Sequence, residues 1–168
     1  MTAPAFPTLG ASTLARKWVT EVDTGSGSPD WTVVGGVTNC QFEPDTGNWV
    51  DDSDYSTNGK DSETKTSGKA NITMTVSRKL GSDGVSYDAG QEALRTAAQF
   101  KYGTDNTVTV RIFEYNPAGG PRVEAYSGTW GVDWVPQGGD NNALDMVQVT
   151  LHPRGDVAAV SHPYPTGS

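Results

Sequence analysis

Residues 69–79 read KANITMTVSRK, and this stretch decides the class of fold. Apolar side chains alternate along it with polar ones, namely Ala70, Ile72, Met74 and Val76 against Asn71, Thr73, Thr75 and Ser77. Successive side chains of a β-strand point to opposite faces, so the alternation predicts a strand with one apolar face and one hydroxyl-rich face. Such a strand needs a sheet whose apolar face is covered by another layer.

Weaker alternation predicts further strands on both sides of this stretch. They cover residues 14–23, 31–42, 107–115, 122–135 and 144–151. Gly35-Gly36 predicts a bulge or a bend inside the second of these strands. The composition, with 20 Gly and 10 Pro, also favours strands that are joined by turns.

Residues 88–102 form the one segment with helical periodicity. Asp88 is a candidate N-cap, Gln91 follows three residues later, and Gly103 is placed to end the helix. A helix of about four turns is not stable alone in water, so it must pack on the sheet. The predicted fold is therefore mainly β, an antiparallel sandwich or barrel with one short flanking α-helix.

Residues 44–68 (PDTGNWVDDSDYSTNGKDSETKTSG) are predicted to form a long acidic loop. The segment has little apolar content, and its acids are Asp45, Asp51, Asp52, Asp54, Asp61 and Glu63. Because it cannot bury enough apolar surface to order itself, we expect it to be functional or disordered.

The remaining organisation is simple. We expect one β domain over residues 14–154, preceded by an extended N-terminal arm (1–13) and followed by a flexible C-terminal tail (155–168). The first ten residues have neither a basic nor an apolar region, so no signal peptide is predicted. No stretch approaches the roughly 18 apolar residues of a membrane span.

The charge of the chain argues against nucleic-acid binding. The formal net charge is −8 and the isoelectric point is about 4.6. Neutralising phosphates requires clusters of Lys and Arg, whereas an acidic surface repels DNA and lets it pass. With Cys40 as the single cysteine, an intrachain disulfide is excluded, and so is a zinc site built from several thiolates.

No residue pattern points to catalysis or to a cofactor. Cys40 shares the apolar parity of its strand with Phe42, which favours a buried thiol. His152 and His162 each precede a proline and are expected at the surface. Glu114 and Glu124 could face each other across a hairpin, as glycosidase carboxylates do, but the sequence indicates no pocket there.

The acidic loop does not have the spacing of a calcium-binding loop. An EF-hand needs Gly at the sixth position and Glu at the twelfth. Counting from Asp52 places Thr57 at the sixth position, and counting from Asp54 places Lys65 at the twelfth. Neither register fits, so no metal site is predicted.

The order of elements resembles the tail tube (major tail) protein family of long-tailed, non-contractile phages, the lambda-like siphophages. The specific similarities are DDSDY at 51–55, KTSGKANITMTV at 65–76 and GQEAL at 90–94. Residues 133–151 also resemble the closing hairpin of that family. The resemblance covers residues 14–154, and it implies no additional C-terminal immunoglobulin-like domain.

The resemblance implies a structural subunit and not an enzyme. Members of the family form hexameric rings that stack into a hollow tube, the conduit for DNA ejection. The implied partners are other copies of the chain, the tape measure protein and genomic DNA in the lumen, and the tail terminator and tail tip proteins at the ends. The implied location is the virion, with assembly in the host cytoplasm.

Two sets of site residues follow from this resemblance. The acidic loop is expected to contact neighbouring subunits through Asp45, Trp49, Asp51, Asp52, Asp54 and Tyr55. The candidate lumen residues are Glu21, Asp23, Thr73, Thr75, Thr109, Arg111, Glu114 and Glu124, with acids outnumbering bases on the lumen wall.

Two other functions are kept as alternatives. One is a different virion structural or adaptor protein. The other is a carbohydrate-binding β-sandwich, because tryptophans can stack on sugar rings; the candidates are Trp31, Trp49, Trp130 and Trp134.

Overall fold

The computed structural model of the chain describes residues 17–57, 60–116 and 119–165. The predicted N-terminal arm, residues 1–13, lies outside these ranges. The described residues contain one α-helix, α1 (Ala89–Ala98), and short 3-10 turns at Tyr55–Thr57 and Gly103–Asn106. The strands are β1 (Trp18–Asp23), β2 (Trp31–Val33), β3 (Val37–Asp51), β4 (Glu63–Ser77), β5 (Thr107–Glu114), β6 (Ala125–Pro136), β7 (Met146–Pro153) and β8 (Ala158–Ala159).

All strands join one antiparallel sheet in the order β2-β1-β5-β6-β7-β4-β3, with β8 paired to β6. The long strand β6 pairs with β5 through residues 125–131 and with β7 through residues 130–136. It therefore divides the sheet into a first half (β2, β1, β5 and the start of β6) and a second half (the end of β6, β7, β4 and β3).

The two halves face each other. The rings of Trp18 in β1 and Phe42 in β3 lie 5.3 Å apart, and Phe42 also lies 5.1 Å from the ring of Tyr126. Because β1 and β3 belong to opposite halves, this contact requires the sheet to fold over on itself. The predicted mainly-β, antiparallel fold with one short helix is confirmed.

The apolar faces of the two halves form one core, as the alternation in residues 69–79 predicts. Trp130 is fully buried, and its indole Nε1 donates to the carbonyl of Ala70 at 3.0 Å. The register of β4 follows the predicted parity, because Ile72 and Met74 are buried while Thr73 is only half-buried. The core contains Val22, Val34, Ile72, Met74, Val76, Leu94, Ala97, Val110, Ile112, Trp130, Val132, Val147, Val149 and Leu151.

Helix α1 begins as predicted. The Asp88 side chain accepts a hydrogen bond from the backbone amide of Gln91 at 2.9 Å, which satisfies one of the free amides of the first turn. The buried Gln91 side chain then donates to the carbonyls of Gly35 and Ser77, both at 2.9 Å. These bonds fix the start of the helix against β2, β3 and β4.

The predicted end of the helix at residue 102 is wrong. The helix ends at Ala98, because Gln99 is extended and Phe100 adopts a positive φ of 52°. The Asn106 side chain donates to the carbonyl of Ala97 at 3.2 Å and so caps the shortened helix. A side chain from the next segment thus replaces the backbone donors that a longer helix would supply.

The predicted strand 31–42 is interrupted. Gly36 has a φ of 69°, and a Cβ at this position would lie 2.4 Å from the carbonyl oxygen of Ser77. The chain therefore bends between β2 and β3, which is the outcome that Gly35-Gly36 favours.

The acidic segment 44–68 is not a structureless loop. Strand β3 extends to Asp51 and β4 begins at Glu63, and the two pair with each other over this length. The prediction failed because backbone pairing across a hairpin does not require apolar side chains, and the exposed positions here are polar.

The C-terminal segment, predicted as a flexible tail, contacts the domain as far as Tyr164. Strand β8 pairs with β6, and the amide of Val160 donates to the carbonyl of Ala125 at 2.9 Å. Beyond it, His162 Nε2 hydrogen-bonds to the carbonyl of Glu114 at 2.7 Å. The aromatic rings of His162 and Tyr164 pack against Phe113. The sequence does not indicate this packing because the residues around them are mostly polar or small.

Candidate functional site: a projecting hairpin and an open polar face

Residues 44–57 and 60–70 form the two sides of a hairpin that projects from the domain. Strand β4 pairs with β7 only from Ile72 onwards, whereas it pairs with β3 as far back as Glu63. The nine residues between these points extend about 30 Å at roughly 3.3 Å per residue. Most of its residues are exposed, so the hairpin is available to another molecule.

Carboxylates order the tip of this hairpin. Asp51 accepts from the amide of Ser53, and Asp54 accepts from the amide of Ser56, both at 2.8 Å. Asp52 accepts a hydrogen bond from the hydroxyl of Thr64 across the hairpin. Short Asp side chains that bond to the backbone two residues ahead are a common way of fixing a turn.

These hydrogen bonds lower the pKa of two carboxyl groups at the tip. Bonds from the side chain and amide of Ser53 lower the pKa of Asp51 below its ordinary value. The hydroxyl of Thr64 has the largest such effect on the pKa of Asp52. Both carboxylates are therefore ionised at neutral pH.

The other predicted contact residues also lie on the projecting hairpin. Tyr55 is fully exposed on the 3-10 turn at the tip, and Trp49 is 57% exposed. Asp45, near the base, forms an ion pair with Lys65 at 2.6 Å. The structure thus brings all six predicted loop residues onto one projecting element.

The second half of the sheet has an open polar face. Thr73 pairs with Gln41 and with Thr150, so these three side chains share a side of the sheet. Thr75 lies between Asn39 and Gln148 in the same way. This face is half-buried to exposed, and no lysine or arginine is present among its positions 39, 41, 73, 75, 133, 135, 148 and 150.

Three other candidate lumen residues, Glu21, Arg111 and Glu114, lie on the first half of the sheet. Glu21 and Arg111 lie beneath the C-terminal segment. Glu21 is 1% exposed, pairs with Arg111, and accepts a hydrogen bond from the Tyr164 hydroxyl at 2.9 Å. Glu114 is buried and forms an ion pair with Lys17. These charges are satisfied within the subunit, so they do not present an open acidic wall.

Burial alone would raise the pKa of Glu114. Hydrogen bonds from Lys17 and from the amides of Val123 and Glu124 outweigh it and leave the pKa below its ordinary value. The backbone amide of Glu124 thus donates to the Glu114 carboxylate at 3.3 Å.

The last three candidates lie at separate places. Asp23 accepts hydrogen bonds from the amides of Gly25 and Asp30, both at 2.9 Å, and so closes the turn after β1. Thr109 is exposed and pairs with Thr129 on the first half of the sheet. Glu124 lies in the connection before β6. Asp23 and Glu124 lie away from the open polar face. Thr109, through Thr129, lies on the same side of the sheet as Asp133 but on the other half.

The other candidate chemistries have ordinary structural explanations. Burial raises the pKa of the Cys40 thiol to about 11, so it is protonated at neutral pH. His152 is exposed and contacts Asp133 at 3.0 Å. Among the described residues, no group of three or more His, Cys, Asp or Glu side chains is arranged to hold a metal ion.

The tryptophans do not form a platform for a sugar. Trp130 is fully buried, and Trp134 is half-buried beside Arg78. Trp31 lies against the guanidinium of Arg111, 4.4 Å from the ring centroid. Trp49 is the one tryptophan in the sequence of the projecting hairpin, so it has no second indole beside it there.

Within the described ranges, no helix has the length and the apolar character needed to cross a membrane.

Comparison with solved structures identifies the fold. A chain of the sheath/tube terminator of an extracellular contractile injection system (PVC), in its extended state, is 11% identical with a TM-score of 0.58, and the match covers 92% of this chain and 100% of that one. The chain has a phage-tail-tube-like fold. A chain from the virion of a native gene transfer agent is 13% identical (TM-score 0.59), and one from the tail of an empty gene transfer agent particle with C6 symmetry is also 13% identical (TM-score 0.57). Both matches cover 89% of this chain and 100% of the other.

The tail-tube-like fold is shared across very different sequences. No protein-family model and no curated protein sequence matches the chain. The matched structures are a sheath/tube terminator, a gene transfer agent virion and a tube-terminating cap. They come from contractile injection systems and gene transfer agents, so the fold does not single out the lambda-like, non-contractile tails.

Proposed function

We propose that the chain is a tail tube subunit, a structural protein that polymerises into stacked hexameric rings. The observation that carries this proposal is the match over the full length of a chain from a tail of C6 symmetry. The projecting hairpin supports it, since a hairpin about 30 Å long with exposed aromatic and acidic side chains is a means of contacting the next subunit.

The open polar face is our proposed lining of the tube. It carries Thr73, Thr75, Thr150 and Gln148, which are neutral polar side chains. Six subunits of charge −8 give a ring a formal charge of 6 × (−8) = −48. A neutral or negative wall without Lys or Arg would let DNA slide, because phosphates find no cation to bind.

The proposed partners follow from this role. Rings stack on one another, the tape measure protein and then genomic DNA occupy the lumen, and terminator and tail tip proteins bind the two ends. The proposed location is the virion after assembly in the host cytoplasm. The sequence resemblance to siphophage tube proteins favours a non-contractile tail.

A terminator that caps the tube is the second candidate. It is favoured by one specific observation: the sheath/tube terminator of an injection system and the tube-terminating cap of an anti-feeding prophage share the fold, with coverage of 92% and 93% of this chain. A terminator would form a single ring and would not stack.

Sedimentation velocity over a concentration series tests both candidates. A tube subunit of 17.8 kDa should form a ring of about 107 kDa (6 × 17.8) and then larger species as the concentration rises. A terminator should stop at the ring. A monomer at every concentration, alone and with a preformed tail tip, would contradict the proposal.

A further inference from the structure

A groove lies between the C-terminal end of α1 and residues 132–135 of strand β6. Its volume is about 700 Å3. Its lining combines basic and aromatic side chains, among them Arg95, Lys101, Tyr102, Trp134 and Arg154. Lys101 and Arg154 are exposed and form no ion pair with any described residue. We call this feature the α1 groove.

The rim of the α1 groove is exposed and strained. Phe100 is 88% exposed and Tyr102 is 83% exposed. Phe100 also has a φ of 52°, in the left-handed region that bulky residues avoid. Backbone strain of this kind is concentrated at functional sites. The ring of Phe100 is exposed to solvent, so packing within the subunit does not compensate for the strain.

The tip of the projecting hairpin has the complementary character. Residues 51–63 contain one basic residue, Lys60, and five acids, for a net charge of 1 − 5 = −4. The acids are Asp51, Asp52, Asp54, Asp61 and Glu63. Among the groove-lining residues, Arg95 is already paired with Glu92 at 2.7 Å. Lys101 and Arg154 then remain with Asp133, for a net charge of 2 − 1 = +1. Tyr55 adds a fully exposed aromatic ring to the tip.

A subunit cannot place its own hairpin tip in its own α1 groove. Val132, which lines the groove, and Ile72 in β4 both pair with Leu151, so they lie at the same level of the sheet. The hairpin leaves the sheet at that level, and Glu63 is nine residues, or about 30 Å, further along the strand. Only the groove of another copy is within reach.

Resting on the proposed function, we infer that the acidic tip of the projecting hairpin of one subunit docks in the α1 groove of the next. The occupant is a second copy of this chain, with Tyr55 against the aromatic rim and the tip carboxylates facing Lys101 and Arg154. The contact joins two different surfaces and is therefore head-to-tail. After two subunits bind, one tip and one groove remain free, so further subunits can add instead of the pair closing as a dimer. It also explains why the most acidic element is held on an extended strand pair.

Charge reversal tests the contact. Lys101→Glu with Arg154→Glu should raise the concentration needed for polymerisation about tenfold, because the interface then sets like charges together. Asp51→Lys with Asp52→Lys should do the same, and combining the four substitutions should restore polymerisation to within about threefold of the wild type. Lys79→Glu, which changes an exposed lysine outside the groove, is the matched control and should have no effect.

Crosslinking supplies a readout that does not depend on affinity. Subunits with Tyr55→Cys and Phe100→Cys should give a ladder of disulfide-linked oligomers on oxidation, whereas Tyr55→Cys with Val85→Cys, an equally exposed position, should not. Cys40 does not compete, since it is partly buried and protonated.

The outcomes separate this inference from the proposed function. If the wild type polymerises and the groove variants polymerise equally well, the docking contact is wrong but the tube assignment stands. If the groove variants polymerise normally and instead lose binding to a DNA probe, the groove holds phosphates and the inference is overturned. If the wild type forms no oligomer, both fail together.

Discussion

The hydroxyl of Tyr164 donates a hydrogen bond to the carboxylate of Glu21 at 2.9 Å and so ties the C-terminal segment to the first strand of the sheet. Glu21 is 1% exposed, and its other partner is Arg111, whose guanidinium lies over the ring of Trp31. The C-terminal segment thereby covers an ion pair that a bare β1–β5 surface would leave open to water.

Removing this hydroxyl should destabilise the subunit. We expect Tyr164→Phe to lower the free energy of unfolding by about 2 kcal/mol, because a hydrogen bond to a buried carboxylate is lost. Urea denaturation followed by circular dichroism measures the change. Tyr55→Phe removes the same hydroxyl from a fully exposed position and should leave stability unaltered; equal effects of the two substitutions would contradict this role for the segment.

The register of β4 makes a second prediction. Ile72→Asp should abolish folding, since it places an unpaired charge in the core at a cost of several kcal/mol. Thr73→Ala, one position along and on the polar face, should change stability by less than about 0.5 kcal/mol. Thermal denaturation of the two variants measures their stability. If Thr73→Ala unfolds the protein and Ile72→Asp does not, the strand is shifted by one residue.

Glu114 predicts a loss of stability in acid. Its pKa is lower in the folded protein than in the unfolded chain, so its stabilising effect is complete above the unfolded pKa of about 4.3 and disappears as the pH falls through the folded pKa. The free energy of unfolding should therefore decrease below about pH 5. In Glu114→Gln this part of the decrease should be missing, and stability at pH 7 should be lower. A variant with the pH profile of the wild type would rule out the effect.

The projecting hairpin should be dispensable for folding and necessary for assembly. Replacing residues 47–68 with Asn-Gly keeps the pairing of Thr46 with Lys69 and closes it with a favoured two-residue turn. We expect a folded monomer that sediments as a single species where the wild type polymerises. Tubes of normal length from this variant would show that the hairpin does not carry the contact.

Some of this structure follows from the sequence, and the parts that do not have identifiable reasons. Periodicity predicts β4 and its buried face because Ile72, Met74 and Val76 contact the core directly. It does not predict the hairpin, because Trp49 and Lys65 pair through the backbone, with no apolar pattern to reveal it.

The sequence pattern also does not predict which residues the charged side chains contact in the folded protein. Glu21 and Glu114 were expected in the lumen, and both are buried. Glu21 is covered by Tyr164, which returns from nearly the other end of the chain, and the Glu114 carboxylate is bound by Lys17 and by the amides of Val123 and Glu124. The aromatic residues among the prolines at 162–165 (HPYP) were the available signal.

A cryo-electron microscopy reconstruction of the assembled protein is the most direct test of the central claim. The account predicts a hollow tube of sixfold rings in which Thr73, Thr75 and Thr150 face the channel and the hairpin tip of one ring contacts the next. A protein that forms no ring or tube with or without a tail tip, or a tube whose channel is lined by the opposite half of the sheet, would contradict it.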